Sequence, residues 1–370
     1  MKAINVCAGQ HRYAVLIGSG LLPETGPLVR PLFSGARCAV VSDPQVAPLF
    51  AGDVVESLRR AQFEPELFTI PSGEIAKSIE QADALCEAMG AAGLDRTSFL
   101  VSLGGGVVSD LAGFVAAIYL RGIPYVSIPT TLLSQVDSCI GGKTGVNSSA
   151  GKNQIGAFHH PSLVLADTDT LRSLPERIWN EGFAEAIKHG IIRDGALFEM
   201  AAQSFNLRPN DGADSGAALA EFIARNIALK AEIVAEDERE QTGARSLLNF
   251  GHTIGHAIEH AAGYGNILHG EAISLGIVAA AHVSQQRAGL SLGAVEKIIA
   301  ALQARQLPVT LPADFPSEKI FAALPRDKKF ENGRIRFVVA HEIGRASVSS
   351  DVTMEDLEAA VAALFTGAPS

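Results

Sequence analysis

The first half of the chain alternates short apolar segments with longer amphipathic ones, and this alternation constrains the fold more than any other feature. Residues 36–43 form an apolar run typical of a buried strand, and residues 45–61 repeat their apolar positions with the period of a helix. After a strand-like segment at 11–18, further strands are predicted at 66–71, 98–106 and 123–129, and helices at 76–93 and 107–122. Strands that alternate with helices predict an α/β domain built on a mostly parallel, Rossmann-like sheet.

The second half of the chain has a helical pattern instead. Ala-rich amphipathic runs predict helices near 215–240, 251–263, 270–290 and 293–305, and only residues 334–350 are typical of strands. A chain of 370 residues is long enough for two hydrophobic cores. We therefore expect a boundary near Leu174 and Pro175, with an α/β domain at 1–174 and a mainly α-helical domain at 175–370.

The charge balance limits the classes of partner. A formal net charge of −10 argues against nucleic acid or a membrane surface, because both favour a basic protein face. An anionic ligand must therefore meet Lys and Arg side chains that are gathered locally. The start of the chain has no long apolar segment of the kind that directs secretion, so we expect a cytoplasmic protein. The four cysteines are far apart and form no Cys-x-x-Cys pair, which favours reduced thiols.

A glycine triplet, Gly104 to Gly106, ends one predicted strand and precedes a helix that carries Asp110. Glycines let the backbone approach a pyrophosphate, whose charge the free N–H groups of a helix start can meet. Tight packing of the strand against the helix would also explain the triplet. Asp43 and Glu74 follow two other strands, where ligands of open α/β sheets bind, although each could instead cap a helix.

Residues 121–161 form the most unusual segment, because polar side chains are concentrated there among glycines. We interpret the segment as a long functional loop, since such loops within compact domains usually carry function. Its two lysines, on turns flanked by glycine, suit a phosphate or carboxylate group. The polar residues are Thr130, Thr131, Asp137, Lys143, Asn147, Lys152 and Asn153.

Three histidines, His252, His256 and His260, are spaced four apart, which places them near one face of a helix. Two such imidazoles can share a metal ion, but surface helices also carry this spacing by chance and the stronger HExxH form is absent. Glu185 and Lys188 are three apart, a spacing that an ordinary solvated salt bridge would explain equally well. The residues alone leave metal binding open.

Six segments, taken together, resemble the 3-dehydroquinate synthases, a family within the sugar-phosphate cyclases. They occur in the order found in that family and cover almost the whole chain, at residues 129–147, 151–161, 182–190, 247–260, 268–276 and 327–329. The resemblance implies an N-terminal NAD-binding α/β domain, a helical metal-binding domain and a homodimer. It also implies tightly held NAD and a divalent metal, Zn²⁺ or Co²⁺.

The resemblance assigns roles to individual residues. It implies that Glu185, His252 and His269 hold the metal while His256 faces the substrate, and we expect His260 to be buried and structural. It implies an NAD site lined by Asp43, Glu74, Lys77, Gly105, Gly106, Val107, Asp110, Thr130 and Thr131, with Lys143 and Lys152. It implies a substrate site of Asp137, Lys143, Lys152, Asn153, Lys188, Lys230, Arg245, Asn249 and His256.

Further positions complete the resemblance or depart from it. Arg121 is expected to reach the phosphate pocket of a neighbouring subunit, and Lys328 or Lys329 to close the site from a late loop. Two residues depart from the family pattern. Ser109 stands where the family usually has glycine and needs room beside the pyrophosphate, and Glu181 stands where small residues or Asn are common.

The activity that the resemblance implies belongs to the shikimate pathway of aromatic amino-acid biosynthesis. A member of the family converts 3-deoxy-D-arabino-heptulosonate 7-phosphate to 3-dehydroquinate and phosphate by transient oxidation, phosphate elimination, reduction and aldol closure. The alternatives are a metal-dependent polyol or alcohol dehydrogenase, a sibling cyclase with another sugar phosphate, and a noncatalytic NAD-binding protein. The several Lys and Arg residues of the implied substrate site argue against the dehydrogenase. The presence of all three implied metal ligands argues against the noncatalytic protein.

Overall fold

The computed structural model describes residues 1–149, 151–203, 207–208, 213–263, 265–324, 330–331 and 334–366. The chain forms two compact units. The first unit contains Met1–Pro175 and Asn206–Ala235, and the second contains Glu176–Phe205 and Glu236–Ser370. Residues 206–235, which the sequence interpretation assigned to the helical domain, are thus grouped with the first unit.

The strands and helices follow the chain in this order. Up to residue 167 they are β1 (Lys2–Ala8), β2 (His11–Gly18), α1 (Thr25–Val29), β3 (Arg37–Ser42), α2 (Ala47–Arg60), β4 (Glu64–Thr69), α3 (Ile79–Ala91), β5 (Phe99–Gly104), α4 (Gly106–Ile118), β6 (Tyr125–Pro129), β7 (Lys143–Ser148), β8 (Gly151–Phe158) and β9 (Leu163–Asp167). The later elements are α5 (Glu176–Arg193), α6 (Gly195–Gln203), α7 (Ala213–Glu236), α8 (His252–Ala262), α9 (His269–Ala288), α10 (Leu292–Ala304), α11 (Ser317–Ala323), β10 (Phe330–Glu331), β11 (Arg334–Ile335), β12 (Phe337–Glu342), β13 (Arg345–Ser349) and α12 (Met354–Thr366).

The first unit is built on a mostly parallel sheet, which confirms the predicted α/β class. Within the described residues the sheet has seven strands in the order β1-β2-β9-β6-β5-β3-β4, and the β1–β2 pair is antiparallel. Every residue of β5 is buried, as expected of a parallel strand covered on both faces. The carboxyl end of β5 leads through Gly105 directly into α4.

Helices cover both faces of this sheet and bury an apolar core on each. On one face Val108 and Leu111 of α4 belong to a buried cluster that includes Leu100 of β5. On the other face Val54 and Leu58 of α2 belong to a second buried cluster. Because β5 contributes to both cores and α4 packs into the first, the turn between them is held in a fixed place.

The polar segment at 121–161 is not only loop, because β7 and β8 form an antiparallel hairpin inside it. β7 packs against α4 so closely that a Cβ atom on Gly113 would lie 2.5 Å from Thr144 Cγ2. Val146 is the fully buried apolar residue of β7. The hairpin escapes sequence analysis because glycines and polar side chains occupy most positions of its alternating pattern.

The second unit is mainly helical, as predicted, with α9 at its centre. Helix α9 contacts α5, α8, α10 and α12, and its side chains from Ala272 to Ala281 are buried. The predicted helices at 251–263 and 270–290 correspond to α8 and α9. β12 and β13 pair within the predicted strand region. Among the described residues, every helix is too short or too polar to span a lipid bilayer.

Candidate active site

Three helices of the second unit, α5, α8 and α9, meet in backbone contact at glycines. A Cβ atom on Gly276 of α9 would lie 2.0 Å from the carbonyl oxygen of Gly251, the N-cap of α8. A Cβ atom on Gly270 would lie 2.2 Å from the carbonyl oxygen of Glu181 on α5. Gly251 also has φ of 78°, which favours glycine. Side chains at the starts of α8 and α9 are therefore brought close to the middle of α5.

The three predicted metal ligands converge at this meeting point. Glu185 Oε1 on α5 lies 3.3 Å from Nε2 of His252 and 3.4 Å from Nε2 of His269. These histidines are the first residues of α8 and α9. Glu185 is 1% exposed. We name Glu185, His252 and His269 the metal cluster.

Each imidazole of the metal cluster is oriented by a contact of its other ring nitrogen. His252 donates from Nδ1 to the carbonyl oxygen of Phe250 at 3.1 Å. His269 Nδ1 lies 3.4 Å from the Glu259 carboxylate. Such contacts on the far side of the ring are typical of metal-binding histidines. Glu259 lies seven residues after His252, which places both on one face of α8, but this spacing alone predicts no role for Glu259.

Charges around Glu185 keep its carboxylate ionised. Burial would raise the pKa of Glu185, but Lys188 and His252 outweigh it and hold the pKa well below its usual range. Lys188, also 1% exposed, forms an ion pair with Glu185. This pair is therefore buried and not the solvated salt bridge that spacing allowed. Burial lowers the pKa of His252, whereas for His269 the carboxylates of Glu185 and Glu259 overcome burial and raise the pKa to about 9.

The donor atoms of the metal cluster fit a divalent ion. Ligand atoms about 2.0–2.1 Å from a tetrahedral zinc ion lie roughly 3.3–3.4 Å from each other. The separations of 3.3 and 3.4 Å from Glu185 match that spacing. One carboxylate and two imidazoles also leave coordination positions open for oxygen atoms of a substrate.

The other two histidines of α8 differ in environment. His252, His256 and His269 each place a ring nitrogen within 4.8 Å of the other two. His256 is exposed beside the metal cluster, so its imidazole can meet a ligand. His260 is exposed as well, and the expectation that it is buried is wrong.

Arg245 and Asn249 occupy a short 3-10 helix, Ala244–Asn249, that directly precedes the metal cluster in sequence. The Arg245 side chain is 2% exposed, and its guanidinium donates to the carbonyl oxygen of Glu238 at 2.5 Å. Asn249 is half-buried. Both residues therefore belong to the same unit as the metal cluster.

In the first unit, residues predicted to bind NAD and substrate share one network around Lys77. The Lys77 ammonium, 3% exposed, lies 2.7 Å from Asp110 Oδ2 and 3.7 Å from Glu74 Oε1, and it donates to Asn153. Lys152 lies 3.6 Å from Glu74. We name Glu74, Lys77, Asp110, Asn147, Lys152 and Asn153 the Lys77 network.

Asn147 ties the Lys77 network together, although sequence analysis gave it no specific role. Its side chain donates to Glu74 Oε1 at 2.9 Å and accepts from the backbone N–H of Asn153 at 2.9 Å. Its own backbone N–H donates to the carbonyl oxygen of Lys77 at 2.8 Å. Asn153 has φ of 54°, so this contact helps to hold a conformation that is uncommon for a residue with a Cβ atom.

The glycine triplet joins the end of β5 to the start of α4. Gly105 caps α4 without a side-chain hydrogen bond, and Val107 is in the first turn of that helix. Within the described residues, the buried hydroxyl oxygens of Thr130 and Ser138 have no hydrogen-bond partner. Ser138 Oγ is 3.5 Å from the position of a Cβ atom on Gly106. Unsatisfied hydroxyls beside free helix N–H groups fit a phosphate-bearing cofactor such as NAD.

Other predicted residues of the first unit have their own local contacts. Asp43 accepts from the backbone N–H groups of Gln45 and Val46, as a helix cap would. Thr131 Oγ1 lies 2.8 Å from the Ser134 hydroxyl. Lys230 lies 2.9 Å from Asp137 Oδ2, and both belong to the first unit.

Two cationic residues predicted to contact the substrate are exposed in the first unit. Two further lysines predicted to do so fall outside the described residues. Lys143 begins β7 and is exposed. Arg121 is exposed and has φ of 70°. Lys328 and Lys329 lie outside the described residues.

The two departures from the family pattern have local explanations. Ser109 turns back onto its own helix and donates to the carbonyl oxygens of Gly105 and Gly106 at 3.1 and 3.2 Å. Its hydroxyl therefore occupies little of the space beyond the helix start. Glu181 accepts from the backbone N–H of Gly270 at 3.4 Å, so its carboxylate lies at the first turn of α9.

Comparisons with known proteins agree with one another. The family described as 3-dehydroquinate synthase N-terminal matches residues 67–181, and the one described as 3-dehydroquinate synthase C-terminal matches residues 182–330. A 3-dehydroquinate synthase of Symbiobacterium thermophilum is 45% identical over 96% of this chain and 99% of its own length.

Two solved structures have the same architecture over nearly the whole chain. One is 2-deoxy-scyllo-inosose synthase complexed with carbaglucose-6-phosphate, NAD⁺ and Co²⁺, with a TM-score of 0.88, 25% identity, and coverage of 97% of this chain and 99% of that one. The other is 2-epi-5-epi-valiolone synthase from Streptomyces hygroscopicus subsp. jinggangensis 5008 with NAD⁺ and Zn²⁺ bound. Its TM-score is 0.86, with 30% identity and coverage of 97% and 98%.

Proposed function

The chain belongs to the 3-dehydroquinate synthase family, and we propose that it converts 3-deoxy-D-arabino-heptulosonate 7-phosphate into 3-dehydroquinate and phosphate. The observation that carries this proposal is the convergence of Glu185, His252 and His269, with matched ligand spacing, in a chain of that family. NAD and a divalent ion, Zn²⁺ or Co²⁺, are the proposed cofactors. Related cyclases that hold NAD⁺ with Co²⁺ or Zn²⁺ support them.

The metal cluster provides the chemistry of hydroxyl activation. A divalent ion held by Glu185, His252 and His269 would polarise substrate hydroxyls and lower their pKa. Glu259 and the carbonyl oxygen of Phe250 fix both imidazoles with Nε2 toward Glu185, so the ligands need little rearrangement. Exposed His256 is then placed to donate or accept a proton at a substrate oxygen.

The cofactor site provides the redox chemistry. NAD held at this site would supply reversible hydride transfer, so that oxidation at C5 of the substrate and its later reduction consume no cofactor. Oxidation at C5 makes the neighbouring C–H acidic, so phosphate can leave before reduction and aldol closure. Gly105 and Gly106 would let the pyrophosphate of NAD approach the start of α4, and the Lys77 network fixes the Asp110 carboxylate on the same helix.

Cationic side chains suit the two anionic groups of the proposed substrate, its carboxylate and its phosphate. Lys143, Lys152 and Lys230 in the first unit, and Arg245 in the second, are the proposed contacts. Loss of one such charge-assisted contact costs about 1.5–3 kcal/mol. Because a simple alcohol carries neither anion, this concentration of cations favours the cyclase over a polyol or alcohol dehydrogenase.

Sequence identity favours the 3-dehydroquinate synthase activity over that of a sibling cyclase with another sugar phosphate. The sibling cyclases of solved structure are 25% and 30% identical, whereas the 3-dehydroquinate synthase of Symbiobacterium thermophilum is 45% identical. Both Lys230 and Arg245, which suit a carboxylate, are also present. We extend the proposal to aromatic amino-acid biosynthesis in the cytoplasm.

The functional division of the chain and its assembly are also proposals. We propose that NAD binding resides in residues 1–174, and that metal binding and most substrate binding reside in residues 175–370. We propose a homodimer in which Arg121 reaches the phosphate pocket of the neighbouring subunit. The exposure of Arg121 supports that role, as does the left-handed backbone at Leu120 and Arg121.

The decisive experiment incubates the purified protein with the heptulosonate phosphate, a divalent metal and a catalytic amount of NAD. Free phosphate and the absorbance of NADH are followed together. We expect phosphate to accumulate over many turnovers of each NAD while NADH stays near zero. NADH that rises in step with product would instead indicate a dehydrogenase, and phosphate release only from other sugar phosphates would indicate a sibling cyclase.

A further inference from the structure

The segment from residue 237 to residue 245 folds around the carboxylate of Asp237. Oδ1 accepts from the backbone N–H groups of Gln241 at 2.7 Å and Thr242 at 3.2 Å. Oδ2 accepts from those of Gly243 at 2.9 Å and Arg245 at 3.3 Å. Asp237 is 5% exposed. Four backbone donors thus converge on one buried carboxylate.

The backbone of this segment is strained at Glu240. Glu240 has φ of 57° and Gly243 has φ of 92°, both in the left-handed region. That region is uncommon for a residue such as Glu240, whose Cβ atom approaches the backbone. The hydrogen bonds to Asp237 offset the strain, because they satisfy N–H groups that regular secondary structure would otherwise pair.

Both ends of Arg245 are fixed by the same segment. Its backbone N–H donates to Asp237, and its guanidinium donates to the carbonyl oxygen of Glu238, the residue after Asp237. The side chain is almost fully buried, so these contacts help to set its direction. A guanidinium recognises a carboxylate or phosphate through a planar pair of hydrogen bonds, and this recognition depends on the direction of the group.

We propose that Asp237 is a positioning residue that presents Arg245 to an anionic group of the substrate. The inference rests on the proposed function, in which Arg245 binds the substrate. Asp237 touches neither cofactor nor substrate in this role. Asp237 acts through the backbone of the segment, which fixes the positions of the Arg245 backbone and of its guanidinium group.

The test compares Asp237→Asn with wild type and with Asp314→Asn, an exposed aspartate of the same unit. Asparagine keeps the shape of the side chain, but its NH₂ group opposes two of the backbone donors. We expect KM for the heptulosonate phosphate to rise roughly 10- to 100-fold, the range for loss of one charge-assisted hydrogen bond. Metal content and NAD affinity should stay at wild-type values, and Asp314→Asn should behave as wild type.

A double-mutant cycle separates positioning from general stabilisation. If Asp237 acts through Arg245, Asp237→Asn adds little to the KM effect of Arg245→Lys. Independent, additive effects would overturn the proposal, and so would a lower melting temperature of Asp237→Asn with unchanged KM. If Asp237→Asn does not fold, the same cycle is run with Glu240→Gly added, since glycine removes the left-handed strain at that residue.

Direct measurements of anion binding test the inference independently of the proposed function. Affinities of the metal-loaded protein for inorganic phosphate and for 3-dehydroquinate, which carries a carboxylate but no phosphate, are measured by calorimetry. Weaker binding of either anion to Asp237→Asn supports the inference and identifies the group that Arg245 meets. Unchanged binding of both overturns it. If wild type releases no phosphate from the heptulosonate phosphate, the proposed function fails. The binding measurements would still test whether Asp237 positions Arg245.

Discussion

The metal cluster and the Lys77 network are both charged and largely buried, but their charges are compensated in different ways. The metal cluster lies on three helices in backbone contact, and its donor atoms point to one place. The Lys77 network lies on helix α4, the β7–β8 hairpin and the short turn at residues 74–77, and its lysine is matched by carboxylates of Asp110 and Glu74. Helix packing therefore gathers the donor atoms of the first beside the Lys188 ammonium, whereas in the second a central lysine is itself the shared partner of the carboxylates.

The largest effect should come from Glu185→Gln, which removes a charged ligand from the metal cluster. We expect metal affinity to fall by more than about 100-fold, beyond the roughly 10- to 100-fold cost of changing an outer contact. Turnover should fall with it, because substrate hydroxyls would no longer be polarised. Metal content after dialysis measures metal binding, kcat measures turnover, and circular dichroism shows whether the variant is folded.

The matched control for that variant is Glu176→Gln, at the exposed start of the same helix. It should keep both metal and turnover. Glu185→Gln also removes the buried ion pair between residue 185 and Lys188, so a lower melting temperature is expected, but the protein should stay folded at 25 °C. A folded Glu185→Gln protein with full activity would show that the metal cluster is not catalytic.

The second prediction tests compensation in the Lys77 network. Lys77→Met removes the ammonium partner of Asp110, whereas Glu74 keeps Lys152 at 3.6 Å, and we expect the free energy of unfolding to fall by roughly 1–3 kcal/mol. The double variant Lys77→Met with Asp110→Asn should recover part of that stability, because it removes one uncompensated charge. Urea denaturation measures both changes, and a double variant as unstable as the sum of its single changes would refute the compensation.

The third prediction addresses the helix contacts that prepare the metal cluster. Gly270→Ala places a Cβ atom 2.2 Å from the Glu181 carbonyl oxygen, so α9 must shift away from α5. We expect a loss of about 1–3 kcal/mol in stability, as in overpacked cores, and weaker metal binding through displaced His269. Gly293→Ala on α10 is the control, because its Cβ atom meets nothing within 4 Å. Equal metal affinity in both variants would show that metal binding does not depend on the packing of α9 against α5.

Much of the fold could be predicted from periodicity alone. Strand β5 and helix α4 were predicted because apolar runs bounded by glycine have few alternatives. The β7–β8 hairpin was not, because its buried face depends on contacts with α4, far away in sequence. The boundary near residues 174–175 stays a prediction, since α7 is grouped mainly with the first unit.

The candidate site shows a similar division. Spacing along α8 suggested that His252 and His256 could share a metal, but it could not show that His269 and Glu185 converge with His252. That convergence depends on close helix crossings at Gly251, Gly270 and Gly276, which have no local signal. Asp237 was missed for the same reason, because its four partners follow it in an irregular loop.

Asp237 provides a third kind of compensation, because four backbone N–H groups balance its charge, and its substitution has the smallest predicted effect on stability. Burial opposes its ionisation, but these hydrogen bonds outweigh burial and lower the pKa to about 2. The unfolded value is about 3.9, so the stabilisation is complete above about pH 4 and is lost as the pH falls toward 2. Asp237→Asn should therefore be less stable than wild type by about 1–2 kcal/mol at pH 7, and the difference should narrow at pH 3. Denaturant titrations at both pH values measure it, and a difference independent of pH would assign the stabilisation to shape instead of charge.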